Sequence, residues 1–217
     1  MSRAKTRFSV RGSVRDLLAF ASLAPTRRRK AASAPVGARQ ERYVDELAEA
    51  LHPDRQRLEI AEVIEETRSA RTYRLVPDRE AGAKSLAYFR AGQYLSLKLR
   101  IGGGEISRPY SISSSPSDAL SGFYDITIRR AKEGYFSSCA WENWEVGTKV
   151  TASGPSGFLY YESLRDSPSI VGIAGGSGVT PFRSIAREIA AGKLDATLSI
   201  IYGCSDDEDI IFKDELK

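Results

Sequence analysis

The chain has 217 residues, 41% apolar and 28% charged, with a formal net charge of +4; this composition excludes wholesale disorder, collagen-like repeats and long coiled coils. Two cysteines, Cys139 and Cys204, and a single histidine, His52, exclude a disulfide framework, a four-cysteine cluster within the chain, a His-rich metal site and a His-based triad. No apolar run reaches the about 20 residues of a membrane span, so a soluble, cytoplasmic protein is expected.

The charge is unevenly spread. Residues 1–40 hold ten Lys and Arg against one acid, Asp16, whereas residues 41–217 hold 22 bases against 27 acids. The basic balance therefore belongs to an amino-terminal arm on an acidic body. Such an arm suits an anionic surface such as lipid, nucleic acid or an acidic protein; a solvated tail is the commoner outcome. Peripheral membrane contact through residues 1–40 stays open, and nucleic acid is not expected as a partner.

Within the arm, Ser13 is placed to cap a short helix with Val14, Leu17, Leu18 and Ala21 on one face. Residues 31–40, with Pro35 and Gly37, read as linker. A second helix over Glu41–Leu51 groups Val44, Leu47, Ala48 and Leu51 and stops at Pro53. Together these make a basic helical extension over residues 1–55.

From Leu58 the pattern becomes short alternating runs between turn signals. Strands are expected at Leu58–Ile64, Arg71–Val76, Gln93–Arg100, Arg108–Ser113, Phe123–Arg130 and Lys149–Ser153, with Gly102–Gly104 as a tight connection. This spacing predicts a closed antiparallel barrel over residues 56–164. A helix is expected at Ser137–Trp144.

After Pro168 the pattern changes again. A continuous apolar strand at Ser169–Ala174 leads into a glycine-rich turn, a helix at Phe182–Ala191 stopped by Gly192, and a strand at Thr197–Tyr202. That is a β–α–β unit. A further helix is expected from near Asp206, so residues 165–217 amount to the first half of a doubly wound domain.

Two segments carry chemistry. In Gly175–Gly176–Ser177–Gly178–Val179–Thr180–Pro181, glycines at a strand-to-helix turn let backbone amides approach a pyrophosphate at a helix amino terminus. In Arg108–Pro109–Tyr110–Ser111, Arg offers a planar fork of donors for phosphate. The Tyr two residues on shares its strand face and can stack on a flat heterocycle.

The order of these motifs, with Gly134–Ser137, Gly154–Pro155–Ser156–Gly157–Phe158, Phe89–Gln93, Tyr202–Gly203 and Asp209–Phe212, resembles the ferredoxin–NADP reductase superfamily from about Leu58 to Leu216. Ala91 stands where the family's Phe-x-Pro-Gly-Gln has proline. The resemblance implies an antiparallel Greek-key flavin-binding barrel followed by a partial doubly wound nucleotide-binding domain. Arg108 would then hold the flavin phosphate, Tyr110 would stack on the isoalloxazine, and Ser111 would bond near its N5. Gly134, Phe136 and Ser137 match the second phosphate-binding segment. Gly175, Gly176, Gly178 and Thr180 match the loop that receives the pyridine dinucleotide, with Thr180 facing the nicotinamide.

The function implied is an NAD(P)H-dependent oxidoreductase using FAD, in preference to FMN, and handing electrons to an iron–sulfur or other acceptor protein. A [2Fe–2S] centre would lie beyond residue 217. Where many NADP-using members carry Arg, this chain has Ser205 followed by Asp206, Asp207, Glu208 and Asp209. Acids there disfavour a 2′-phosphate and suit a ribose diol, favouring NADH; they equally suit a helix amino terminus. The family's late Cys-Gly motif and terminal aromatic are not present, and Cys139 and Cys204 read as small buried packing residues. The alternatives are a reductase of free flavin or a quinone, and a nonenzymatic flavin-binding or assembly module docking through its basic arm.

Overall fold

The computed structural model describes residues 51–216, together with 47–49 and the single positions 25, 29 and 32. The short helix expected after Ser13 and most of the linker at 31–40 lie outside the described residues; Ala32, within that linker, is helical. Of the helix expected at Glu41–Leu51, residues 47–49 and Leu51 are described and are helical.

Six strands form one antiparallel sheet: β1 (Gln56–Thr67), β2 (Ala70–Pro77), β3 (Tyr94–Ile101), β4 (Gly104–Ser111), β5 (Tyr124–Arg129) and β6 (Lys149–Ala152). They lie in the order β4-β3-β6-β1-β2-β5. A single bridge between Ile112, just past β4, and Ile126 of β5 links the two outer strands and closes the barrel at that point. All six expected strands are present with shifted ends. Alternation sends Leu58 and Ile60, Leu95 and Leu97, and Tyr73 and Leu75 into a core completed by Phe89, Ile112, Ile126 and Ile128. Strand β5 is buried on both faces, since Asp125 and Thr127 are as inaccessible as the apolar residues between them. Thr127 exchanges hydroxyl hydrogen bonds with Thr72 and Ser113.

Three α-helices follow from local signals. The first, α1 (Pro116–Leu120), was not expected from the sequence, yet Ser115 and Asp118 form a reciprocal capping box with Pro116 at the helix start. The second, α2 (Tyr135–Asn143), begins before the expected Ser137, because Gly134 is its N-cap. Ser137 sits in the first turn, where its hydroxyl donates to Gly134 O (3.1 Å) and accepts from Ala131 N (3.1 Å). Buried Phe136 pins this early start, packing edge-on to Trp144 at 5.9 Å.

The second unit runs β7 (Ser169–Gly175), a 3₁₀ turn at Gly176–Val179, α3 (Thr180–Ala190) and β8 (Thr197–Gly203). Strands β7 and β8 are parallel, and their register sets both carboxyl ends level at Gly175 and Gly203. Ligands of open α/β sheets bind at that end. Phe182 of α3 lies over Gly172, while Val171, Ile173 and Ile201 remain exposed. The helix expected from Asp206 is instead a 3₁₀ turn, Asp207–Asp209, followed by turns. Two local facts prevent a helix. Asp206 caps the short turn by accepting from Glu208 N at 3.0 Å, and buried Phe212 takes φ +60°, which a right-handed helix cannot contain.

One glycine locks the barrel to the segment leading into the second unit. Gly92 has φ +102°, and a Cβ there would lie 2.0 Å from the Leu159 carbonyl oxygen. Gly92→Ala is therefore expected to lose about 2–4 kcal/mol of stability, from backbone strain plus a backbone clash. Thermal unfolding reads this directly; an unshifted transition would show that the close approach is absent.

Candidate functional site

On the barrel, β4 presents Arg108, Tyr110 and Ser111. Arg108 is exposed; its guanidinium donates to the Ser107 carbonyl at 2.9 Å and forms no ion pair among the described residues. Tyr110 is half-buried, its ring 5.5 Å from that of Phe136 at a tilt of 41°. Burial pushes its phenol up to about 12, so the ring stays neutral over the physiological range. This contact brings β4 and the first turn of α2 together, joining Arg108 and Tyr110 to Gly134, Phe136 and Ser137. A Cβ on Gly134 would lie 2.4 Å from Ser137 Oγ and 2.7 Å from Ala131 Cβ, so the turn closes only on glycine. The Ser111 hydroxyl makes no hydrogen bond among the described residues.

On the second unit, the glycine turn opens at the carboxyl end of β7. A Cβ at Gly175 or Gly178 would meet nothing within 4 Å, leaving backbone that a ligand can approach. Gly176, at φ +51°, is instead covered: its Cβ would lie 2.5 Å from an Arg129 guanidinium nitrogen. Thr180 is buried and its hydroxyl donates to Ser177 O at 2.9 Å, so it braces the turn. Ser205 is exposed. Asp206 forms an ion pair with Arg68 from the β1–β2 hairpin, which places a cation among acids that the sequence showed only as a negative run. Cys139 and Cys204 are half-buried, not buried, and Cys204 Sγ donates to Asp209 O at 3.2 Å.

Two residues that join the two units, Arg183 and Arg129, escaped the sequence reading. Arg183 on α3 bonds Glu215 (2.7 Å) and Ser113 O (3.3 Å) and lies 3.6 Å from Asp125. Arg129 and Asp209 pair across the same junction. Asp209 belongs to the Asp209–Phe212 motif, which was legible, but a strand Arg and a helix Arg carry no local signature of a partner distant in sequence.

Residues 57–161 match the family model of the oxidoreductase FAD-binding domain, and residues 173–217 match that of the oxidoreductase NAD-binding domain. The chain belongs to the ferredoxin–NADP reductase superfamily. It is 33% identical over 165 residues to the glycine betaine monooxygenase reductase subunit of Chromohalobacter salexigens, covering 75% of this chain and 42% of that protein. It is 38% identical over 129 residues to ferredoxin–NADP reductase B of Sorangium cellulosum, covering 59% and 51%. Among solved structures it resembles a ferredoxin NADP+ reductase from Neisseria gonorrhoeae with bound FAD and NADP, at 25% identity and TM-score 0.63, covering 75% of this chain and 63% of that one. The chain thus spans about half or less of the length of these two curated relatives.

The family's FAD fits the residues present. Arg108 has a guanidinium without a carboxylate among the described residues, Tyr110 is an aromatic packed by Phe136, and the first turn of α2 stands beside them. The open backbone at Gly175 and Gly178 fits a dinucleotide likewise.

Proposed function

We propose that this chain is the electron-entry part of an NAD(P)H-dependent flavoprotein reductase that serves a partner redox protein, an iron–sulfur protein being the acceptor class. The observation that carries the reading is the pairing of two sites in one fold. Strand β4 sets Arg108 and Tyr110 beside the first turn of α2, and a parallel β–α–β unit opens its glycine turn at the strand ends.

Bound FAD supplies the hydride-accepting and electron-releasing chemistry. The chain's own residues bind and orient. Arg108 and the amino-terminal turn of α2 hold phosphate, while Tyr110, backed by Phe136, offers a flat apolar surface. Ser111 offers a hydroxyl that makes no hydrogen bond among the described residues. Gly175 and Gly178 let backbone approach the dinucleotide, and Thr180 shapes that turn from behind. No general base is required for such positioning chemistry. NADH is the favoured coenzyme: Arg68 neutralises Asp206, yet Asp207 and Glu208 form no ion pair among the described residues and leave negative charge just past the carboxyl end of β8, which disfavours a 2′-phosphate. A cytoplasmic setting goes with this reading; among the described residues no helix is long and apolar enough to cross a membrane.

The test is the visible spectrum of the purified chain before and after anaerobic NADH. A flavin spectrum that bleaches is the expected result. A folded chain that stays colourless after FAD is added would overturn the reading.

A further inference from the structure

We propose that the Asp209 carboxylate, gripped by Arg129, Thr67 and Ser69, is the clamp that fixes the glycine turn against the barrel and so sets the spacing between flavin and nicotinamide. The assignment rests on the function proposed above. It makes Asp209 and Arg129 positioning residues.

Asp209 lies in the 3₁₀ turn after β8, and the side chains that grip its carboxylate, Thr67, Ser69 and Arg129, come from the barrel. Thr67 Oγ1 donates to Oδ1 at 2.5 Å and Ser69 Oγ to the same oxygen at 2.6 Å. The Arg129 guanidinium pairs with Oδ2, and also donates to the Asp209 carbonyl at 3.2 Å. Arg129 Nε donates to Ser69 Oγ at 3.0 Å, tying the donors to one another. The register of β1 shifts between Glu65 and Thr67, a bulge immediately before the gripping side chains, and bulges commonly re-aim a side chain.

The same guanidinium reaches the proposed nucleotide loop. One Arg129 nitrogen lies so close to Gly176 that a Cβ would be 2.5 Å away. Beside it, Ala70 of the β1–β2 hairpin is buried with Ala174, Val179, Ile211 and Phe212. The clamp therefore touches the turn, the strand end and the barrel at once. Burial pushes the Asp209 carboxyl up, but hydrogen bonds from Ser69 and Thr67 and the Arg129 charge outweigh it and hold it below the usual carboxylate range. The grip is therefore ionic at neutral pH. The neighbouring Arg68–Asp206 pair is much more exposed and adds little.

A second, separate set of contacts holds the other side of the junction. Ser184 Oγ donates to Ser114 O at 2.6 Å, and Arg187 pairs with Asp118 at 3.2 Å. Loss of the clamp should consequently free the glycine turn while α3 stays docked. The result is a tilt of the nucleotide site, and transfer distances are sensitive to a misplacement of about 1 Å.

The experiment compares the full chain with Asp209→Asn in two readouts. Without cofactor, backbone amides at 67–70 and 174–180 should exchange hydrogen at least tenfold faster, with β3 and the middle of α3 unchanged. With FAD, reduction at saturating NADH should slow at least tenfold, while the FAD dissociation constant and NADH half-saturation stay within twofold. A variant reduced at the wild-type rate, or one in which only NADH half-saturation moves, overturns the proposal. Should Asp209→Asn fail to fold, Ser69→Ala combined with Thr67→Val removes two donors, keeps the ion pair, and should move both readouts in the same direction. A wild-type chain that NADH does not reduce sinks the functional reading instead; amide exchange then decides the clamp alone, and unchanged exchange overturns it.

Discussion

Asp125→Ala is expected to lower stability by about 3–5 kcal/mol, the cost of removing one partner from a buried ion pair. Asp125 is only 1% exposed. Its carboxylate accepts from Arg74 at 2.9 and 3.3 Å and faces Arg183 at 3.6 Å. Arg74 has an escape, because it also bonds Glu62 at 2.7 Å and is 30% exposed. Arg183 has less: it is buried between α3 and the barrel with its guanidinium 4.4 Å from the Phe212 ring centroid, and it keeps Glu215. The burden of an uncompensated charge therefore falls on Arg183, at the junction of the two units. At roughly 2–4 °C per kcal/mol for a protein of this size, the transition should drop by about 10 °C. The double variant Asp125→Ala with Arg183→Met should recover part of that drop, since an apolar replacement removes the stranded charge. A single variant melting with the wild type would mean that the carboxylate contributes nothing to the junction.

This arrangement also explains what was and was not legible in the sequence. The barrel strands could be read because alternation is a local signal: Leu95 and Leu97 face one way whatever lies elsewhere. The nucleotide unit could be read because an apolar strand, a glycine turn and an amphipathic helix follow one another within about thirty residues, the span of a βαβ unit. Strand β5 also looked like an ordinary alternating strand, and nothing in it says that Asp125 and Thr127 are covered. Asp125 faces Arg183 of α3, which is far away in sequence, and Thr127 is taken up by the Thr72 and Ser113 hydroxyls of other segments. The same limit hid the pairing of Arg129 with Asp209, which meet across 80 positions. Local rules failed in two other places for identifiable reasons. The capping box at Ser115–Asp118 was present but surrounded by serines that equally suggest a loop. The acids after Cys204 suit a helix start, yet Asp206 and Asp209 are taken by Arg68 and Arg129 of the barrel, and Phe212 is drawn into the interior.

Arg108→Ala is expected to raise the FAD dissociation constant by about 10- to 100-fold, since a hydrogen bond to a charged group is worth about 1.5–3 kcal/mol. The same variant should melt with the wild type. Arg108 is exposed, makes no ion pair among the described residues and bonds only the carbonyl of its own chain neighbour, Ser107, so the fold does not rest on it. Tyr110→Ala separates differently. Its ring is half-buried against Phe136, which in turn packs on Trp144, so truncation should lower both flavin affinity and thermal stability. Tyr110→Phe keeps the ring and loses only a hydroxyl that makes no hydrogen bond among the described residues; it should retain both. The two alanine variants therefore share a loss of affinity and differ in stability, and titration with FAD beside a melting curve reads them together. Added salt sharpens the contrast, because an exposed phosphate contact is screened within about 10 Å at 0.1 M while an aromatic contact is not. The wild-type affinity should weaken with salt and the Arg108→Ala affinity should weaken less. If Arg108→Ala held FAD as tightly as the wild type, the phosphate would lie elsewhere, and β4 would contribute a stacking surface alone.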